Sequence, residues 1–129
     1  MNIQSLSATA QALVADGKGI LAADESNGTI GKRFDKIGVE NIEENRRAYR
    51  EFLFTTPDME KYISGVIMYD ETIRQSTRAG VSFVKVLNDK DIIPGIKVDL
   101  GLKDLEDSVG EKVTAGLEGL DDRLKEYYF

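Results

Sequence analysis

Residues 19–24 read GILAAD, and the same frame returns as GVIMYD at 65–70 and GIKVD at 95–99: a glycine, an apolar run, then an aspartate, Asp24, Asp70 or Asp99. An apolar run of this length between a glycine and an acid predicts a buried strand of a parallel sheet covered on both faces, with the acid where the strand leaves the core. The three acids then share one edge of the sheet. Functional groups of β/α folds gather at the carboxyl ends of the strands, so each aspartate is a candidate site residue as well as a turn former.

The segments between these strands have helical period. Ile3, Leu6, Ala10, Leu13 and Val14 predict an amphipathic helix that stops near Gly17, followed by a strand over 20–23. Residues 29–37 predict a short helix carrying Lys32 and Arg33, with Gly38 as its stop. The next helix has Asn41 as N-cap with Glu44 three residues on, an apolar face of Ile42, Tyr49, Phe52 and Leu53, an i,i+4 pair of Glu43 and Arg47, and Pro57 beyond its end. Strands over 66–69 and 93–98 follow, separated by a short helix over 83–87, and Pro94 is tolerated near a strand start. Strand alternating with helix implies parallel strands joined by right-handed crossovers, an α/β fold.

From 100 to 119 the chain reads as a long polar loop with four glycines and no hydrophobic period. Leu120, Leu124 and Tyr128 then mark a helix face, with Asp121 and Asp122 placed to favour its positive end. The sequence finishes on Tyr127, Tyr128 and Phe129, rings that want a packing partner, so the expectation is a chain that stops partway through its fold. Three strands do not close a barrel, which takes about eight.

Composition narrows the chemistry. With 129 residues and 41% hydrophobic content the chain is the size of one small domain with a real core. A net charge of -6, from 23 acids against 17 bases, is opposed to a nucleic-acid surface, which needs a clustered basic face. Histidine and cysteine are both absent, which removes disulfides, a thiol nucleophile, an imidazole base and His- or Cys-ligated metals. No run nears the roughly 20 apolar residues that span a bilayer, and residues 1–19 lack the pattern of a signal or transit peptide. The expectation is a cytoplasmic protein with neither nucleic-acid nor membrane partners.

The motifs GKGILAADES (17–26), GTIGKR (28–33), ENIEENRRAYREFLFTTP (40–57), SGVIMYDETIRQ (64–75), GIKVD (95–99) and GLEGLDDRLKEYY (116–128) together resemble the class I, Schiff-base fructose-1,6-bisphosphate aldolases, collinearly over residues 10–128. The resemblance implies the N-terminal part of a (β/α)8 TIM barrel, with about three of its eight strands in residues 1–129, as one fragment of the barrel domain. It further implies a lyase of glycolysis and gluconeogenesis that reversibly cleaves fructose 1,6-bisphosphate to glyceraldehyde 3-phosphate and dihydroxyacetone phosphate through a lysine imine, without metal or other cofactor. In that family the Schiff-base lysine and the glutamate acid/base lie on later strands, so the chain alone is expected to be inactive. The resemblance also implies a sugar-phosphate partner and full-length proteins that assemble as homo-oligomers.

Site residues carry over where the motif matches. Asp24 corresponds to the aspartate beside the substrate hydroxyl that loses its proton in cleavage; a carboxylate near a cationic lysine stays ionised and can orient that hydroxyl. Capping the turn is the plainer role for Asp24. Ser26, and Thr29 where the family usually has serine, correspond to residues lining the phosphate end of the site, where hydroxyls and amides at a helix start suit phosphate oxygens; the plainer role is helix capping. Arg33 corresponds to an arginine near the second phosphate, which a guanidinium binds bidentately, against the alternative of a solvated helix cation. Lys97 corresponds to the third-strand lysine that points toward the substrate, and even without the family a lysine in an apolar strand must meet a negative partner or lose its charge. Asp99 is its natural companion, as site residue or as structural ion pair, while Asp70 reads as a capper of the following helix and Glu71 carries little. Two further possibilities stand: a truncated non-catalytic fragment, and a piece of a metal-dependent enolate-forming barrel whose strand-end acids hold magnesium.

Overall fold

The structure is a computed structural model and describes residues 3–128. Phe129, one of the terminal rings named above, lies outside the described residues. The chain divides into two compact units, one ending at Ile96 and one beginning at Lys97.

The first unit is built on three strands, β1 (Gly19–Ala23), β2 (Ile63–Met68) and β3 (Ile93–Ile96), ordered β1-β2-β3 and parallel throughout. The register brings Ala23 opposite Met68 and Met68 opposite Ile96, so the carboxyl ends are level. Helix α1 (Ile3–Leu13) precedes β1, α2 (Asn27–Asp35) and α3 (Glu43–Phe54) join β1 to β2, and α4 (Asp70–Ile73) and α5 (Phe83–Asn88) join β2 to β3. The Ser64 hydroxyl, on β2, donates to the Leu13 carbonyl at 2.6 Å and so fastens the end of α1 to the sheet.

The predicted alternation and parallel pairing are present, but the strands are not equally buried. Only β2, with a neighbour on either side, is mostly buried, with Ile63 and Ile67 half-buried; β1 is exposed apart from half-buried Leu21 and buried Ala23, and β3 is half-buried. The core joins Ala23, Val66 and Met68 of the sheet to Phe54 of α3, Met59, and Phe83, Leu87 and Ile92 of the α5 region. Phe54 and Phe83 meet edge to face with centroids 5.3 Å apart.

Helix α3 corrects three expectations. Its inward residues are Arg50 and Phe54, one turn apart, while Phe52 is 72% exposed and Ile42 is also exposed; Leu53 does pack on the core. The N-cap is Ile42, with no side-chain cap, because the Asn41 amide is drawn away to donate to the Asn27 carbonyl at 3.0 Å. Arg47 pairs with Glu44 and Glu51 rather than Glu43, whose carboxylate accepts from Gln75.

The second unit contains an antiparallel hairpin, β4 (Leu102–Asp104) with β5 (Lys112–Thr114), where a featureless loop was expected. Helix α6 (Leu120–Tyr127) follows as predicted, but Leu124 and Tyr128 of its presumed inner face are exposed. Gly116 sits at φ +131, and a Cβ there would lie 2.9 Å from the Val98 carbonyl oxygen, so this position requires glycine. Arg123 donates to the carbonyls of Val98 at 3.0 Å and Gly116 at 2.6 Å, joining α6 to this bend.

Candidate functional site

The carboxyl end of β1 runs straight into α2, and four of the five candidate residues lie on that short path. Asp24 is the first residue beyond the strand and is half-buried. Ser26 is the N-cap of α2: its hydroxyl accepts the Thr29 amide at 3.4 Å and lies 3.2 Å from the Thr29 hydroxyl. Local capping is therefore one role that Ser26 performs. It also places two hydroxyls side by side at the positive end of a nine-residue helix, an arrangement suited to an anion.

Arg33, one and a half turns along α2, is exposed but not a free solvated cation. Its Nη1 donates to the Glu25 carboxylate and to the Tyr49 hydroxyl, the latter at 3.2 Å. The Glu25 charge, reinforced by the Tyr49 hydrogen bond, raises the Arg33 pKa. Among the described residues its Nε and Nη2 have no partner, which leaves one edge of the planar fork open to a bidentate oxyanion. Lys32 is exposed.

The sequence reading missed the residues behind this surface. Arg50 is 2% exposed; its Nη2 donates to the Glu25 carbonyl at 3.0 Å and lies 3.2 Å from Glu25 Oε2, and its guanidinium stands 5.2 Å from the Tyr49 ring centroid. Burial lowers the Arg50 pKa while the Glu25 charge opposes that shift, and an arginine remains charged under such conditions. A second brace lies beside it. Arg46 grips Glu71 bidentately, with both N–O distances 2.7 Å, and also donates to Asn41; Glu71 accepts from Asn27 at 3.4 Å. The Arg46 hydrogen bonds hold the Glu71 carboxyl below its usual range. The available signal was the spacing of Arg46, Arg50 and Phe54 at successive helical turns, which puts two arginines on the face that also carries a core phenylalanine.

The other strand ends differ from this. Asp70 is the first residue of α4 rather than its cap, which is Tyr69, and it pairs with Arg74 at 3.0 Å. Lys97 does not lie inside a strand: β3 ends at Ile96, where its pairing with β2 ends, and Lys97 opens the second unit. There its ammonium donates to Asp99, whose other carboxylate oxygen accepts the Gly101 amide at 3.0 Å. The Lys97 hydrogen bond, then the Gly101 amide, hold Asp99 below the ordinary carboxylate range. The structure thus brings Asp24, Ser26, Thr29 and Arg33 together on the first unit and joins Lys97 to Asp99 on the second. No three acidic side chains among the described residues form a metal-binding group.

The family model for class-I fructose-bisphosphate aldolase matches residues 5–129. The chain belongs to that family. It is 64% identical over 128 residues to a probable fructose-bisphosphate aldolase class 1 of Xylella fastidiosa, covering 99% of this chain and 38% of that protein. It is 56% identical over 123 residues to the cytosolic fructose-bisphosphate aldolase 4 of Arabidopsis thaliana, covering 95% of this chain and 31% of the relative. Among solved structures it matches fructose-bisphosphate aldolase of Plasmodium falciparum, determined with TRAP and a small-molecule inhibitor, with a TM-score of 0.93 and 54% identity over 97% of this chain and 36% of that one. The chain therefore spans about a third of the length of these aldolases and corresponds to their N-terminal portion. Its parallel strands are part of an aldolase TIM barrel. Among the described residues no helix is long and apolar enough to cross a membrane.

Proposed function

We propose that this chain is the substrate-holding N-terminal portion of a cytosolic class I aldolase that reversibly cleaves fructose 1,6-bisphosphate to glyceraldehyde 3-phosphate and dihydroxyacetone phosphate. The observation that carries this is the start of α2, where the Ser26 and Thr29 hydroxyls adjoin a helix N-terminus and the Arg33 fork keeps one edge open. These groups have the chemistry of a phosphate site. In this reading Asp24 orients the hydroxyl that loses its proton, and Lys97, its charge partnered by Asp99, adds a cation for an anionic substrate. Residues 1–129 are the N-terminal portion of one barrel domain, which in the whole enzyme assembles as a homo-oligomer in the cytosol, in keeping with the cytosolic relative.

The imine-forming lysine lies outside this portion, and without an electron sink for the substrate carbonyl there is no covalent route to cleavage. The chain alone then binds and orients but does not turn over. Borohydride reduction in the presence of dihydroxyacetone phosphate tests this by mass spectrometry. The expected result is no adduct on the isolated chain; a covalent adduct on any of its lysines would overturn the assignment.

A further inference from the structure

We propose that Glu25 is a positioning residue for phosphate binding: it pins the Arg33 guanidinium in one orientation, while buried Arg50 supplies the counter-charge that leaves the positive charge of Arg33 available to the ligand. The proposal rests on the reading of the α2 start as a phosphate site.

Arg33 is a long side chain on an exposed helix face, and holding it still has an entropic cost. Two hydrogen bonds from a single nitrogen set its geometry: Nη1 reaches both Glu25 Oε1 and the Tyr49 hydroxyl. Tyr49 is itself held by edge-to-face packing on Phe34, a buried residue of α2, with centroids 6.0 Å apart. With Nη1 committed, the guanidinium plane is fixed and its opposite edge, Nε and Nη2, points away from these partners. A fork held in this way binds a phosphate without first having to order itself.

A carboxylate beside an anion site has an obvious disadvantage, since it neutralises the cation meant for the ligand. Arg50 answers this. The Glu25 carboxylate is divided between two arginines, Oε1 toward Arg33 and Oε2 toward Arg50 at 3.2 Å. The Nη2 of Arg50 also donates to the Glu25 backbone carbonyl, so the same buried side chain bonds the main chain of the glutamate and faces its carboxylate. Arg50 Nε and Nη1 and Glu25 Oε2 are all buried with no hydrogen-bond partner among the described residues, a costly state, so Arg50 meets this carboxylate as a charge rather than as a donor. Charge compensation of Glu25 gives that buried cation a purpose beyond packing.

The test turns on a sign. Removing a negative charge next to an anion site strengthens anion binding if charge alone matters, whereas removing a positioning group weakens it. The full 129-residue chain, labelled with 15N, is titrated with inorganic phosphate at constant ionic strength near pH 7, following the amides of residues 26–33 and the Arg33 Nε resonance. Wild type is expected to saturate and Arg33→Met to lose the response. Glu25→Gln is expected to bind about five- to tenfold more weakly, with its Arg33 Nε signal collapsed toward that of free arginine. Tyr49→Phe, which keeps the ring and loses only the hydroxyl, is expected to weaken binding about two- to threefold.

No saturation in wild type, or an unaltered response in Arg33→Met, would sink the phosphate reading and this inference with it. If Arg33→Met loses binding while Glu25→Gln binds phosphate as tightly as wild type or more tightly, the positioning role alone is overturned. Should Glu25→Gln lose its amide dispersion, Tyr49→Phe decides, and an unchanged affinity there overturns the proposal.

Discussion

The unit ending at Ile96 and the unit beginning at Lys97 are held by different forces. The first has a core in which Phe54, Met68, Phe83 and Leu87 are wholly buried around β2. The second has no buried residue among those described; its order rests on polar contacts such as the Leu100 amide on the Ala115 carbonyl at 2.9 Å, the Ala115 amide on the Gly101 carbonyl at 2.8 Å, and the Arg123 bonds to Val98 and Gly116. Burial of apolar area is the main source of folding free energy, while each exposed hydrogen bond or ion pair contributes little net. Candidate site residues fall on both sides of this divide. Those at the β1–α2 junction stand on a packed base, and Lys97 with Asp99 does not.

The largest effect that could break the contrast comes from the core. Phe54→Ala removes a fully buried ring that packs against Phe83, and is expected to destabilise the first unit by about 3–5 kcal/mol. Urea unfolding followed at the amides of β2 measures this. Protection at Leu100 and Ala115 is expected to be low in wild type and unchanged by the substitution. A loss below about 1 kcal/mol would mean that the first unit is not held by its core.

A smaller and pH-dependent effect sits at the second brace of the first unit. Glu71 is below its usual pKa because Arg46 bonds both of its oxygens. A carboxylate whose pKa is lower folded than unfolded adds stability above the unfolded value, about 4.3 for glutamate, and loses it as pH falls through the depressed folded value. Glu71→Gln is therefore expected to cost about 1–3 kcal/mol at pH 7 and clearly less at pH 3, below the unfolded value. Thermal unfolding at the two pH values checks this, and an equal cost at both would show that charge is not what Glu71 contributes. Glu51, also held low by Arg47, keeps a residual acid sensitivity in the variant.

What the sequence made legible follows the same divide. The three glycine-to-aspartate frames announced the parallel sheet because apolar runs and their boundaries are local signals. Ser26 was legible as a cap for the same reason. Arg50 was not, because an arginine is ordinarily exposed and only tertiary packing makes it the inner residue of α3. Glu25 lay in plain view inside AADES, yet its partners Arg33 and Arg50 are 8 and 25 positions away, and only the fold brings them to one carboxylate. The hairpin of β4 and β5 escaped because both strands are exposed on either face, so neither carries the alternation that marks a half-buried strand. Residues 95–99 continue the apolar frame and so point to a strand through Lys97; in the structure the partner strand β2 ends first, with Met68 opposite Ile96.

The smallest expected effect sharpens the contrast from the second unit's side. Asp99 holds two groups, the Lys97 ammonium through one oxygen and the Gly101 amide through the other. Its depressed pKa means that both contacts favour the ionised carboxylate; as pH falls through the folded value the ion pair is lost, while the Gly101 bond weakens to one accepted by a neutral carbonyl oxygen. Two substitutions separate the contacts. Asparagine retains a carbonyl oxygen for the Gly101 amide but gives up the ion pair, whereas alanine gives up both. Because the site is solvated, the ion pair adds little order, and Asp99→Asn is expected to leave amide exchange at Gly101 within about twofold of wild type. Asp99→Ala is expected to speed it by several-fold, about tenfold at most, with β2 untouched in both. Equal acceleration by the two variants would mean that charge, rather than the carbonyl-type hydrogen bond, orders the turn beside Lys97. The second unit would then owe its order to electrostatics, and added salt would loosen it in proportion.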